Sequence, residues 1–88
     1  MTREARTLAD LCTDFLKERL SVEQFVQKFQ EYFEKNQERL NGQFDVFDDI
    51  YMACEYYQPE FEVRELSLKL INEERLRQIV REGLKNTG

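Results

Sequence analysis

Eighty-eight residues, 41% of them hydrophobic, suffice for one small core, so a single helical or mixed domain over residues 1–88 is expected. One proline and three glycines leave no linker, and apolar runs are too short for a membrane span or signal-peptide core, which points to a cytoplasmic protein. The net charge of -5 is regional: residues 44–65 carry seven acids against Arg64 alone, a balance of -6 that leaves +1 for the rest. Such a field repels phosphate and anionic lipid and attracts basic partners, so nucleic acid and membranes are excluded as direct ligands.

The first helix is read over residues 4–20, where Leu8, Leu11, Cys12, Phe15, Leu16 and Leu20 recur at the spacing of one helical face. Ser21 interrupts it and opens 21-SVEQ-24, a capping box with Ser at the N-cap and Gln three residues on. The second helix then places Val22, Phe25, Val26, Phe29, Tyr32, Phe33 and Leu40 on one face and is expected to end at Asn41-Gly42, residues that tolerate the left-handed conformation. The third helix is expected from Asp45 to Tyr57, stopped by Pro59. Its wheel puts Phe47, Ile50, Tyr51, Cys54 and Tyr57 in a core, and Asp45, Asp48, Asp49, Met52, Glu55 and Tyr56 on the outside.

An irregular connection over 59–71 follows, with 66-LSLKL-70 as a possible extended piece. Asn72 caps a fourth helix running to about Lys85, which buries Leu76, Ile79, Val80, Gly83 and Leu84 and turns Arg75, Arg77, Arg81 and Lys85 outward. Four helices with short turns between the first three give an all-α fold, an antiparallel four-helix bundle with a longer connection between helices three and four.

The chain has no histidine, which removes the commonest general base and transition-metal ligand together. It has no glycine-rich phosphate loop, and Asp45, Asp48 and Asp49 lack the glycine turn of a calcium loop. Neither catalysis nor a cofactor or metal is expected. Cys12 and Cys54 lie on apolar stripes and read as reduced core residues.

A solvated helix face normally mixes charge signs at i,i+4, as Glu73 and Arg77 do on the fourth helix. The third helix carries four acids and no base, so its carboxylates repel one another. Met52 and Tyr56 stand among them, on the side away from the core. An aromatic anchor ringed by charge is the pattern of a protein-binding face.

Three segments carry a family likeness: 10-DLCTDFLKERLSVEQF-25, 51-YMACEYYQPE-60 and 71-INEERLRQIVREGLKN-86. In that order and spacing they resemble the colicin D immunity family, small cytoplasmic proteins that protect a bacterium from its own tRNA-cleaving toxin. The resemblance implies a four-helix bundle whose acidic surface occupies the basic cleft of the toxin's nuclease domain, with carboxylates in the place of phosphates. Motif for motif it assigns toxin contact to Glu55 and Glu60, the acids flanking Tyr57 and Pro59. The helical wheel adds Asp48, Asp49, Met52 and Tyr56. The stretch 61-FEVRELSLK-69 departs from the family pattern and is placed to tune which toxin is recognised. A non-enzymatic inhibitor, monomeric in its complex, is the resulting expectation. The alternative is a general helical adaptor or dimerisation module that uses the same face on another basic partner.

Overall fold

The computed structural model describes residues 2–40, 42–57 and 71–87. They form α1 (Arg3–Leu16), α2 (Val22–Asn36), a 3-10 turn (Gln37–Arg39), α3 (Phe44–Tyr56) and α4 (Glu73–Thr87). Each helix packs on its chain neighbours and α4 closes back on α1, giving the expected all-α antiparallel bundle.

α1 is shorter than its apolar spacing suggests. It ends at Leu16 because Glu18 adopts the left-handed conformation, with φ of 63°. The Arg19 N–H donates to the Asp14 carbonyl (2.8 Å) and the Glu18 N–H to the Phe15 carbonyl (3.0 Å). These two bonds make a Schellman termination with glutamate where glycine is usual. The chain is thereby turned so that Ser21 caps α2: its Oγ accepts from the Gln24 N–H (3.2 Å), and its own N–H donates to Gln24 Oε1 (3.0 Å). The expected capping box is present.

α2 stops at Asn36, short of the expected end at Asn41-Gly42, since the Asn36 amide turns back to donate to the Tyr32 carbonyl (2.9 Å). An asparagine that bonds its own backbone competes with helix continuation. The tighter 3-10 turn then carries the fully buried Leu40 into the core. Gly42 follows with φ of 24°. α3 begins at Phe44, one residue earlier than expected, and Tyr57 is its extended C-cap.

The shared core is built from Ala5, Leu8, Cys12 and Phe15 of α1, Val22, Phe25, Phe29 and Phe33 of α2, Phe47, Ile50, Ala53 and Cys54 of α3, and Leu76 and Val80 of α4, with Leu40. Each fully buried Phe removes apolar surface worth roughly 1.5–3 kcal/mol, which makes the phenylalanines the main source of stability. They are continuous: Phe15 stacks on Phe25 at 4.4 Å, Phe25 meets Phe29 at 5.4 Å, and Phe29 meets Phe47 at 6.3 Å between centroids. On α3 the core assignment holds for Phe47, Ile50 and Cys54, whereas Tyr51 and Tyr57 are only half-buried and Ala53 is buried instead.

At α4, Asn72 Oδ1 accepts from the Arg75 N–H (2.9 Å), the expected cap. Gly83 lets α3 and α4 approach closely, since a Cβ there would stand 2.6 Å from Ile50 Cδ1. Arg77 does not point outward as its place on the wheel suggests. Its guanidinium lies 4.4 Å over the Phe15 ring, donates to the Phe15 carbonyl (3.1 Å) and pairs with Glu73 (3.0 Å). Both cysteines are free and buried, as expected of core residues. Burial, with Glu55 nearby, pushes the Cys54 thiol up to about 12, and burial with Cys54 beside it holds Cys12 higher still.

The expected connection 59–71 lies outside the described residues apart from Ile71, whose N–H donates to the Tyr56 carbonyl (3.0 Å). The possible extended piece 66–70 lies outside them too.

Candidate functional site

α3 has one face in the core, and the rest of its circumference divides into three strips. The crest holds Asp48, Met52 and Glu55; Met52 is 37% exposed, one of the two most exposed large apolar side chains among the described residues. The flank toward α4 carries Asp45 and Asp49. With Glu82 and Asn86 of α4 they line a cleft of about 190 Å³ above Ile50 and Gly83. The flank toward α2 carries Phe44 and Tyr51, both packed on Phe33, at 5.5 and 4.8 Å between centroids.

The expected outer residues therefore share one helix without sharing one patch. Asp48, Met52 and Glu55 stand together, Asp49 leans toward α4, and Tyr56 is half-buried at the end of the helix, with its carbonyl tied to Ile71. Glu60 lies outside the described residues.

Among the described residues the ion pairs are Arg19–Asp14, Lys35–Glu31 and Arg77–Glu73, and none involves an α3 carboxylate. The acidity of α3 is thus uncompensated within that set, which makes the electrostatic potential over its crest more negative. Its α2 flank adds an acid that the sequence reading did not single out. The Tyr51 phenol is held above the ordinary tyrosine range by desolvation and by the nearby carboxylates of Glu34 and Glu55. Nothing in the periodicity of α2 marks Glu34, an ordinary exposed position. Only the packing of α2 on α3 brings it beside Tyr51. Phe44, 36% exposed, was likewise passed over because the helix was expected to begin after it.

Among the described residues no three acidic or cysteine side chains converge as ligands for a metal. No described helix is long and apolar enough to cross a membrane. What the surface can do chemically is present fixed carboxylates beside exposed apolar side chains, the equipment of a protein-binding module. Residues 5–87 match the model of the bacterial self-protective colicin-like immunity family, and the chain belongs to that family. It is accordingly an immunity protein directed at a colicin-type toxin. No curated protein and no solved structure matches it significantly.

Proposed function

We propose that the protein disarms a tRNA-cleaving toxin of the colicin D type by laying the crest of α3 into the basic cleft where the toxin would hold its substrate. A cleft that binds a polyanion must carry several cations. An inhibitor that presents fixed carboxylates meets those cations without itself being cleaved. The observation that carries this reading is the crest itself: Asp48 and Glu55 around the exposed Met52, on a helix with four acids and no base. An apolar anchor ringed by charge suits an interface whose centre is desolvated and whose rim steers encounter. Asp49 and Tyr56 extend the contact along α3, and Glu60 extends it into the following segment. The complex has one immunity protein per toxin domain, forms in the cytoplasm, and needs no cofactor, metal or turnover by the inhibitor.

The test is to mix purified protein with a candidate toxin nuclease domain and follow tRNA cleavage and association rates. Cleavage should stop at equimolar protein. The on-rate should approach roughly 10⁸ M⁻¹s⁻¹ at low salt and fall steeply as salt rises, with a smaller change in off-rate. An on-rate indifferent to salt, or cleavage that persists in the complex, contradicts the proposal.

A further inference from the structure

The proposed contact uses Asp48 and Glu55 of α3 but not the aromatic side chains beside them on the α2 flank, Phe44 and Tyr51. Phe44, Asp48, Tyr51 and Glu55 follow one another at i, i+4, i+7 and i+11, a single stripe about 16 Å long in which aromatic and acidic side chains alternate. Phe33 supports both aromatic rings from below, and Glu34, the next residue of α2, is near enough to Tyr51 for its charge to act on the phenol. We infer that the partner surface continues across this α2–α3 seam, and that Glu34, Tyr51 and Glu55 with Phe44 receive an arginine side chain of the toxin. The inference rests on the reading that α3 meets a basic partner, and it adds a second helix and a preferred cation to it.

The preference for arginine follows from the pairing of groups. A guanidinium is planar and weakly hydrated, so it can lie against aromatic carbon while its edges donate to two carboxylates. A lysine ammonium is compact and strongly hydrated and gains little from an aromatic shelf. The molecule already holds one arginine in this manner: Arg77 lies over Phe15 and bonds Glu73. The seam offers the same chemistry, and no ion pair among the described residues occupies it. Other surfaces fit less well. The α3–α4 cleft has carboxylates over an Ile50–Gly83 floor without an aromatic wall, and the α1–α2 groove beside Leu11 and Tyr32 carries Lys28 and Lys35, the wrong sign for a basic partner.

The first test needs no toxin. Capped tetra-arginine and tetra-lysine peptides are titrated into the full chain while backbone amide signals are followed by NMR. The arginine peptide should move the signals of Glu34, Asp48, Tyr51 and Glu55 and bind more tightly than the lysine peptide. Glu34→Gln should weaken it about fivefold or more, the scale of one charge-assisted contact, while Tyr51→Phe, which keeps the ring, and Glu38→Gln leave it nearly unchanged. Equal binding of the two peptides, or shifts centred on Asp45, Asp49 and Glu82, overturns the inference. The second test is protection of cells that express the toxin domain. Glu34→Lys should abolish protection, as Glu55→Lys should. Should Glu55→Lys alone abolish it, the seam is refuted and the α3 reading survives; should both variants protect fully, both fall. Thermal melts near wild type for Glu34→Lys and Glu34→Gln exclude misfolding as the cause of any loss.

Discussion

Arg77 is the side chain whose removal tests most sharply how this bundle is held together. It joins the start of α4 to the end of α1 by two contacts, the stack on Phe15 and the bond to the Phe15 carbonyl, and is steadied by a pair with Glu73 of its own helix. A cation over an aromatic ring contributes about 0.5–2 kcal/mol, depending on desolvation. A hydrogen bond from a charged donor contributes about 1.5–3 kcal/mol, reduced here because the Phe15 carbonyl also accepts from the Glu18 N–H and is not orphaned when Arg77 leaves. The Glu73 pair, on a half-exposed i,i+4 edge, adds only about 0.3–0.5 kcal/mol. Arg77→Ala should therefore destabilise the fold by about 2 kcal/mol, and Arg77→Lys by about 1 kcal/mol although the charge is kept, because the ammonium loses the planar stack. Glu73→Gln should cost about 0.5 kcal/mol or less. Urea denaturation at constant m-value gives the three differences directly, and in a domain of this size 2 kcal/mol corresponds to a fall in Tm of roughly 10 °C. A lysine variant as stable as wild type, or a Glu73→Gln as damaging as Arg77→Ala, would show that charge pairing and not the stack on Phe15 carries the effect.

Three further outcomes are expected. Glu18→Gly should stabilise the protein by about 0.5 kcal/mol, since relief of the left-handed glutamate slightly exceeds the entropy glycine adds to the unfolded chain; a loss in urea denaturation refutes the Schellman turn. Gly83→Ala should lower stability by about 1 kcal/mol, because crowding of the buried Ile50 outweighs the gain in helix propensity; a net gain would mean that α3 and α4 separate readily. Cys12 and Cys54 should resist a thiol reagent at about pH 8 in the native protein and react in urea. Their raised folded-state pKa values also mean that stability declines as pH rises from 9.0, where an unfolded thiol ionises, toward about 12, and a flat stability profile across that window contradicts it.

The four helices could be read from the sequence because each signal was local: the 3.6-residue recurrence of phenylalanine and leucine, the Ser21–Gln24 box, and the Asn72 cap. The misreadings share a different origin. The end of α1 carries no glycine, so the left-handed Glu18 gave no sign of itself, and Asn36 ended α2 through a side-chain bond that composition does not announce. Arg77 departs from its expected outward place, and Tyr51 is half-buried against the core rather than within it, because both are amphipathic. Tyr51 rests its ring on Phe33 while its phenol feels the charge of Glu34 and Glu55; Arg77 covers Phe15 while its edges find oxygen. For the candidate site, the charge asymmetry of α3 was legible from residue counts alone. Glu34 was not, since its proximity to Tyr51 depends on how two helices pack rather than on either helix's own period.

The central claim is that a specific carboxylate surface on α3, and not the overall negative charge, confers protection. Cells that express the toxin domain should be plated with wild-type protein, Glu55→Lys and Glu38→Lys. Glu38 lies exposed in the 3-10 turn, makes no ion pair among the described residues, and changes net charge by the same amount. It is a cleaner control than Glu31, which holds Lys35 at 3.2 Å. Glu55→Lys sets a like charge against the basic cleft and should abolish protection, with a loss of affinity of at least about 2–5 kcal/mol if the contact is desolvated. Glu38→Lys should protect as wild type does. Equal loss of protection in both variants would contradict the account and place the function in total charge.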